Sequence, residues 1–213
     1  MNGKTIQQGP GAVPPRQQPL QTAHRKAVAA LRAQSEAQLQ WLGAEGCNAQ
    51  WRLPVMDGVF RLDIDTGRIC GGDGADVHPT WQVLTLHYLA LRARPSSQSP
   101  AVTFASLPAG KTYAMVYENR VNRRLCAGVG KDRLTLLAAA AAARARAAEG
   151  GDMALEVDVF PRLPLRLVWY AGDEELMPSC TLLLPPNIES FLSIEDIVVL
   201  SESFISRLGG RPF

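Results

Sequence analysis

Two stretches of this chain alternate apolar and charged side chains one for one, and that period decides what it can fold into. In Ala154–Phe160, Leu155, Val157 and Val159 alternate with Glu156 and Asp158. In Val59–Asp65, Phe60, Leu62 and Ile64 alternate with Arg61, Asp63 and Asp65. Successive side chains of a β-strand point to opposite faces, so each stretch reads as a strand with one face in a core and one in water. Half-solvated strands belong to antiparallel sheets, because parallel sheets are covered on both faces and read as unbroken apolar runs. Thr66-Gly67 supplies a turn before a return strand at Arg68-Ile69-Cys70, and Pro161 and Pro164 join Ala154–Phe160 to a partner over Leu165–Tyr170.

Between these strands the period changes to that of helices. Thr22 to Trp41 carries Ala27, Ala30, Leu31 and Leu39 at helical spacing and reads as one amphipathic helix ended by Gly43 and Gly46. Trp81, Leu84, Tyr88 and Leu91 form an i, i+3, i+7, i+10 stripe on a helix that starts near Pro79 and stops before Pro95. Two further helices are expected over Tyr113–Cys126 and from Asp132 to about Ala148, the second containing six consecutive alanines. Ser193 with Asp196 resembles a capping box opening a last helix, Ile194–Leu208. Short strands are expected at Val102–Phe104 and Cys180–Leu184. The fold class is therefore α+β: a single domain over 21–213, mainly antiparallel sheet with about five flanking helices. The proline- and glycine-rich residues 1–20 are expected to form a disordered tail.

Several function classes fall away. A formal charge of +2 over 213 residues makes no long-range lure for nucleic acid or anionic lipid. Cys47, Cys70, Cys126 and Cys180 contain no C-x-x-C pair that could seed a zinc or iron–sulfur site, and no intrinsic cluster or metal site is expected. No apolar segment follows Met1 as a secretion signal would, and no run of uncharged apolar residues is long enough to span a membrane, so a cytoplasmic protein with reduced thiols is expected.

Ala105-Ser106-Leu107-Pro108-Ala109-Gly110-Lys111-Thr112 nearly matches a phosphate-cradling loop, with Lys111 for terminal phosphates and Thr112 for Mg²⁺. Ala105 stands where the first glycine belongs, and the order of elements supplies no parallel βαβ core, so a turn opening an ordinary helix is the preferred reading. Gly71–His78 fits most of one calcium-binding nonapeptide, yet such repeats work by stacking and only one copy is present. His78 and His87 are nine residues apart, which is not the i, i+4 spacing of a ligand pair. Asp173-Glu174-Glu175 is the most distinctive cluster: three consecutive carboxylates raise one another's pKa unless a cation joins them, and Arg162 and Arg166 are the nearest cations in sequence. A binding-site edge and a solvated or ion-paired loop would both produce it. Charge is also segregated: residues 119–147 carry seven cations and one carboxylate, residues 149–202 eleven carboxylates and two cations. Without aromatic interleaving or a helix-turn-helix pattern, internal matching of the two blocks explains this better than nucleic-acid binding.

Leu86-His87-Tyr88-Leu89, the Leu107–Gly110 turn with Tyr113 after it, and above all Phe160 to Pro178 (FPRLPLRLVWYAGDEELMP), followed by Ile188 to Leu200, resemble family 3786 of the bacterial and archaeal domains of unknown function, over about residues 22–208. Members of that family are often fused to, or found near, a four-cysteine iron–sulfur domain of the kind in corrinoid iron–sulfur proteins. The resemblance thus implies anaerobic redox or methyl-transfer metabolism and an iron–sulfur or corrinoid protein as partner, and it lowers the nucleotide reading of Gly110-Lys111-Thr112. This chain departs from the fused form in lacking the close-set cysteines, so any cluster belongs to another polypeptide or is absent. The first expectation is an accessory module that binds a partner or small ligand, with His87, Arg162, Arg166, Asp173, Glu174 and Glu175 as candidate contacts. The alternative is a small enzyme or cofactor carrier with a pocket near the Asp173–Glu175 loop, and the third a nucleotide-binding protein through Gly110-Lys111-Thr112.

Overall fold

The computed structural model describes residues 18–213, with side chains from Arg25 onward; the expected tail, 1–20, falls largely outside the described residues. The strands form two antiparallel sheets. The first joins β1 (Glu45–Cys47), β2 (Gln50–Val55), β3 (Gly58–Asp63) and β4 (Arg68–Gly71) in chain order. The second is ordered β5-β9-β8-β7-β6, from β5 (Val102–Thr103), β9 (Ser179–Leu184), β8 (Leu163–Tyr170), β7 (Met153–Phe160) and β6 (Arg146–Ala148). The α+β class with mainly antiparallel sheet and about five flanking helices is met, the helices of eight residues or more being α1 (Gln18–Arg32), α3 (Pro79–Leu89), α4 (Gly110–Tyr117), α6 (Arg133–Ala142) and α7 (Ile194–Leu208). Two short helices, α2 (Glu36–Trp41) and α5 (Arg123–Ala127), complete the set among the described residues.

Both hairpins read from alternation are present. Asp63 faces Arg68 across the β3–β4 turn, where Gly67 takes φ +72°, and Leu155, Glu156 and Val157 face Leu167, Arg166 and Leu165 across β7 and β8. β2 alternates as cleanly, with Trp51, Leu53 and Val55 buried and Gln50, Arg52 and Pro54 exposed. Pro54 is tolerated because β1 pairs with β2 only as far as Arg52, leaving that side of Pro54 without a ladder partner.

The helix expected over 22–41 is broken. Ser35 caps α2 by accepting a hydrogen bond from Gln38 N, and the corner is held by amides reaching the C-terminal end of α3. Gln34 Nε2 donates to the carbonyls of Leu89 and Leu91, and Gln38 Nε2 to those of Leu91 and Ala93. These carbonyls have no partner within α3, so the two glutamines do the work of a C-cap. The alanine-rich helix also ends early. Arg144 adopts φ +55°, its N–H bonds to Ala141 O and that of Ala145 to Ala140 O, a Schellman closure that frees residues 146–148 to pair with β7. The run expected from Tyr113 to Cys126 starts at Gly110 and contains one π-helical turn, Glu118–Asn122, between α4 and α5.

One apolar cluster runs through both sheets and the helices, and α3 contributes Trp81, Leu84, Leu86, Tyr88 and Leu89 to it. Leu86 and Leu89 are as deeply buried as Trp81, Leu84 and Tyr88, so the helix is wrapped on more sides than the predicted stripe. No helix among the described residues is long and apolar enough to cross a membrane.

Candidate functional site

Aromatic rings carry the core from one sheet to the other and out to a cleft. Trp81 meets Phe60 of β3 and Phe160 of β7 edge-on, with centroids 6.4 and 6.5 Å apart. Tyr88 stacks on Phe160 at 4.6 Å and lies 6.4 Å from Phe191, which in turn stacks on Trp41 at 6.5 Å. The Tyr88 hydroxyl donates to Leu42 O at 2.7 Å and accepts from the Arg162 N–H at 3.3 Å; burial pushes the phenol well above its ordinary pKa, so it stays a neutral strut.

Phe191 and the β7–β8 hairpin wall a cleft of about 290 Å³, closed on the other side by residues 95–101. Asn187 Nδ2 donates to Ser96 O at 2.7 Å and ties that segment down. The cleft floor is charged. The alternation of β7 sends Glu156 and Asp158 to the same face, and strand register sets Arg146 of β6 and Arg166 of β8 beside Glu156. Arg146 Nη2 donates to Glu156 at 3.2 Å and to Asp158 at 2.9 Å, while Arg166 donates through Nε and Nη2 to Glu156 Oε2 at 3.2 and 3.0 Å. Hydrogen bonds donated to Asp158 and then to Glu156 hold the Arg146 guanidinium firmly in its charged form.

Arg162, at the turn, is spent differently. Its Nε donates to Trp41 O at 2.8 Å and its guanidinium carbon lies 4.8 Å from the centroid of the Trp41 ring. Among the described residues it forms no ion pair with a carboxylate. The cleft therefore presents a cation whose direction is fixed by an aromatic ring and whose Nη nitrogens are available to an acceptor.

The structure separates the residues singled out in sequence. Arg162 and Arg166 line the cleft. Asp173, Glu174 and Glu175 lie in the β8–β9 connection, at the opposite end of β8 from Arg162, and pair with neither arginine. Asp173 instead closes its own loop: Oδ1 accepts from Glu175 N and Leu176 N at 2.9 and 2.8 Å, in that order the causes that hold its carboxyl below the ordinary range. His87 lines neither this cleft nor the second described below. Its Nδ1 lies 3.0 Å from Asp196 Oδ2 on α7, and that bond raises the imidazole pKa against the opposing effect of burial. For Asp196, burial alone would push the carboxyl up, but hydrogen bonds from His87 and Ser193 outweigh it and the net shift is downward. His78 caps α3, its Nδ1 accepting from Thr80 N at 3.2 Å.

Gly110-Lys111-Thr112 opens α4, but β5 before it pairs antiparallel with β9. The backbone N–H of Ala109 at the helix start is taken by Glu189 Oε1 at 2.9 Å, a carboxylate where a phosphate would sit. A Cβ on Gly110 would lie 1.9 Å from Phe104 O, so this glycine serves a close backbone approach. In the Gly71–His78 loop Asp73 Oδ1 accepts from Ala75 N, and among the described residues no three His, Cys, Asp or Glu side chains gather as a metal site.

The segregated charge blocks meet each other. Besides Arg146 with Glu156 and Asp158, Arg120 and Arg124 both pair with Glu202 of α7, beside a second cleft of about 460 Å³ near His78 and Trp81. Trp41, Glu156, Asp158 and Phe191 are site residues that sequence reasoning passed over. The alternating acids of β7 opposite Arg166 were a usable signal for two of them, whereas nothing local ties Trp41 to Arg162, 121 residues away.

No curated protein and no solved structure matches the chain. The model of one family, described as a domain of unknown function, DUF3786, matches residues 34–207, which takes in both sheets, the cleft and α7 almost to its end. The chain belongs to the DUF3786 family.

Proposed function

We propose that this protein is an accessory binding protein that takes a small carboxylate-bearing ligand in the cleft between the β7–β8 hairpin and residues 95–101, and that it works beside an iron–sulfur or corrinoid protein of anaerobic metabolism. The observation that carries the cleft is Arg162. Two guanidinium groups, Arg162 and Arg166, line the cleft with two carboxylates; Arg166 pairs with Glu156, Arg146 behind them pairs with Glu156 and Asp158, and Arg162, seated on Trp41, is left over. A planar guanidinium held on one side by an aromatic ring presents a two-pronged donor that matches a carboxylate. The mixed floor favours a ligand that also bears a donor for Asp158, so an amino acid or short peptide terminus fits better than a simple fatty acid. The partner is carried over from what the sequence resemblance implies, and four free thiols agree with a cytoplasmic setting.

Titration with glutamate and with succinate, followed by Trp41-sensitive fluorescence and the melting temperature, tests the cleft. The expected result is a saturable response to at least one of them that is lost in Arg162→Ala and kept in Arg92→Ala, a surface arginine outside the cleft. An equal response in Arg162→Ala, or none to either probe, overturns it. The partner is tested by affinity purification without oxygen, where a colourless protein that retains an iron–sulfur or corrinoid protein is expected, and a cluster or corrinoid absorption band from the chain itself argues for a cofactor carrier instead.

A further inference from the structure

Cys126 of α5 and Cys180 of β9 stand with their sulfurs 3.1 Å apart, although 54 residues separate them in sequence. The contact is built from both sides. The N–H of Cys180 points at Cys126 Sγ at 3.2 Å, and Cys126 Sγ lies 3.2 Å from Cys180 O, so backbone as well as side chain fixes the pair. Gly130 makes the room: a Cβ there would sit 2.3 Å from Cys180 Sγ. Gly130 is itself held by Trp169, whose indole N–H donates to its carbonyl at 2.9 Å, and Trp169 faces Cys180 across the β8–β9 ladder. Cys126 is half-buried and Cys180 is 3% exposed, so Cys126 is the residue of the pair nearer to solvent. No third His, Cys, Asp or Glu joins them among the described residues, which sets the pair apart from a metal site.

We propose that Cys126 and Cys180 are a redox-active dithiol that exchanges with low-molecular-weight disulfides. The Cys126 thiolate attacks one sulfur of a disulfide RSSR, breaking its S–S bond, forming a mixed disulfide and releasing RS⁻. The Cys180 sulfur then attacks the Cys126 sulfur, the bond to the second RS breaks, and the proton of Cys180 leaves with a released thiol. The balance is one RSSR reduced to two RSH and two protein thiols oxidised to one disulfide, with two electrons passing to RSSR. Closing the bond requires the sulfurs to approach by about 1 Å, within the reach of side-chain rotation when disulfide sulfurs sit at ~2.05 Å. The division of roles follows the surroundings. The Cys180 S–H and N–H both donate to Cys126 and hold its thiol below the ordinary range against burial and the Glu118 carboxylate, while the same bond and burial keep Cys180 protonated until it is needed. The site is independent of the cleft at Arg162.

The full chain, reduced and freed of reductant, is exposed to oxidised glutathione, its remaining thiols are alkylated, and its peptides are identified by mass. The expected product joins the Cys126 and Cys180 peptides, reverts with dithiothreitol, and in Cys180→Ala gives way to glutathione held on Cys126. Modification of exposed Cys47 with Cys126 and Cys180 both left free overturns the proposal, as does glutathione retained on Cys126 of the unaltered protein with no cross-link. The unaltered protein decides the question by itself should Cys180→Ala fail to fold.

Discussion

Gly110→Ala separates the two meanings that Gly110-Lys111-Thr112 carries in sequence. If the glycine lies there for packing, the added methyl must enter a space that a backbone already fills. It would stand 1.9 Å from Phe104 O, 3.0 Å from Phe104 C and 3.2 Å from Leu107 Cβ. Carbon and oxygen do not approach closer than ~3 Å without strain, so the start of α4 must back away from residues 104–106 by about 1 Å. That movement pulls on the Phe104–Tyr117 stack, whose rings lie 4.0 Å apart and 8° from parallel. Overpacking of this kind costs ~1–3 kcal/mol, and weakening the stack adds ~0.5–1 kcal/mol. The better helix propensity of alanine returns at most ~1 kcal/mol. A net loss of ~0.5–3 kcal/mol follows, equal to ~1–12 °C in melting temperature for a chain of this size. Urea and thermal unfolding followed by circular dichroism measure it. Lys111→Ala is the control: Lys111 is exposed, and its loss should stay within ~0.5 kcal/mol. The packing role of Gly110 fails if Gly110→Ala melts with the unaltered protein. It fails in a different way if Lys111→Ala weakens binding in an equilibrium ATP titration, since that would restore the phosphate loop.

Two further outcomes follow from the hydrogen-bonded carboxylates. His87 has a folded-state pKa above its ordinary value, so the stability it lends through Asp196 is complete below about pH 6.5 and fades as pH rises through the raised pKa. Asp196 works with the opposite sign, its contribution complete above about pH 4 and fading as pH falls through the lowered pKa. Urea midpoints for the unaltered protein and His87→Gln should therefore differ most between those limits and converge as pH rises through the raised pKa; a difference that does not shrink with rising pH would refute the pairing. In the β8–β9 connection, Asp173→Ala should speed amide hydrogen exchange at Glu175 and Leu176 while Glu174→Ala leaves it alone, because only Asp173 accepts those N–H groups. Equal exchange in the two variants would show that Asp173 does not hold the loop.

What could be read from the chain was what repeats locally. The alternation of Leu155-Glu156-Val157-Asp158 defined a half-solvated strand and the right kind of sheet, and Ser193 with Asp196 marked the start of α7, where the Ser193 side chain does accept the Asp196 N–H. Misreadings came where distant partners outweighed local preference. The alanine run favours helix through Ala148, yet pairing of Arg146 with Glu156 and Asp158 draws residues 146–148 into a strand. Residues 22–41 look continuous because the glutamines that hold their corner act on carbonyls at and just beyond the end of α3, more than fifty residues away. The site followed the same division. Arg162 and Arg166 stood out within one motif, but nearness in sequence suggested Asp173–Glu175 as their partners, and an eight-residue strand carries those acids to the other end of the sheet. Trp41, which gives Arg162 its direction, could be joined to it only by the fold.

The π-helical turn at Glu118–Asn122 makes the length of the surrounding helical run a fixed quantity. It lets Asn122 Oδ1 accept the N–H of Leu182 while Arg120 reaches Glu202. Each residue advances a helix by ~100°, so deleting one residue here to restore regular α-helix would turn everything downstream by more than a quarter of a revolution. Leu125, fully buried, would swing toward solvent and Cys126 would leave Cys180. Insertions and deletions in this part of the gene are therefore tolerated only as compensated pairs or near-whole turns, and related chains should differ in length at residues 95–101 or 171–178 far sooner than between Gly110 and Ala127.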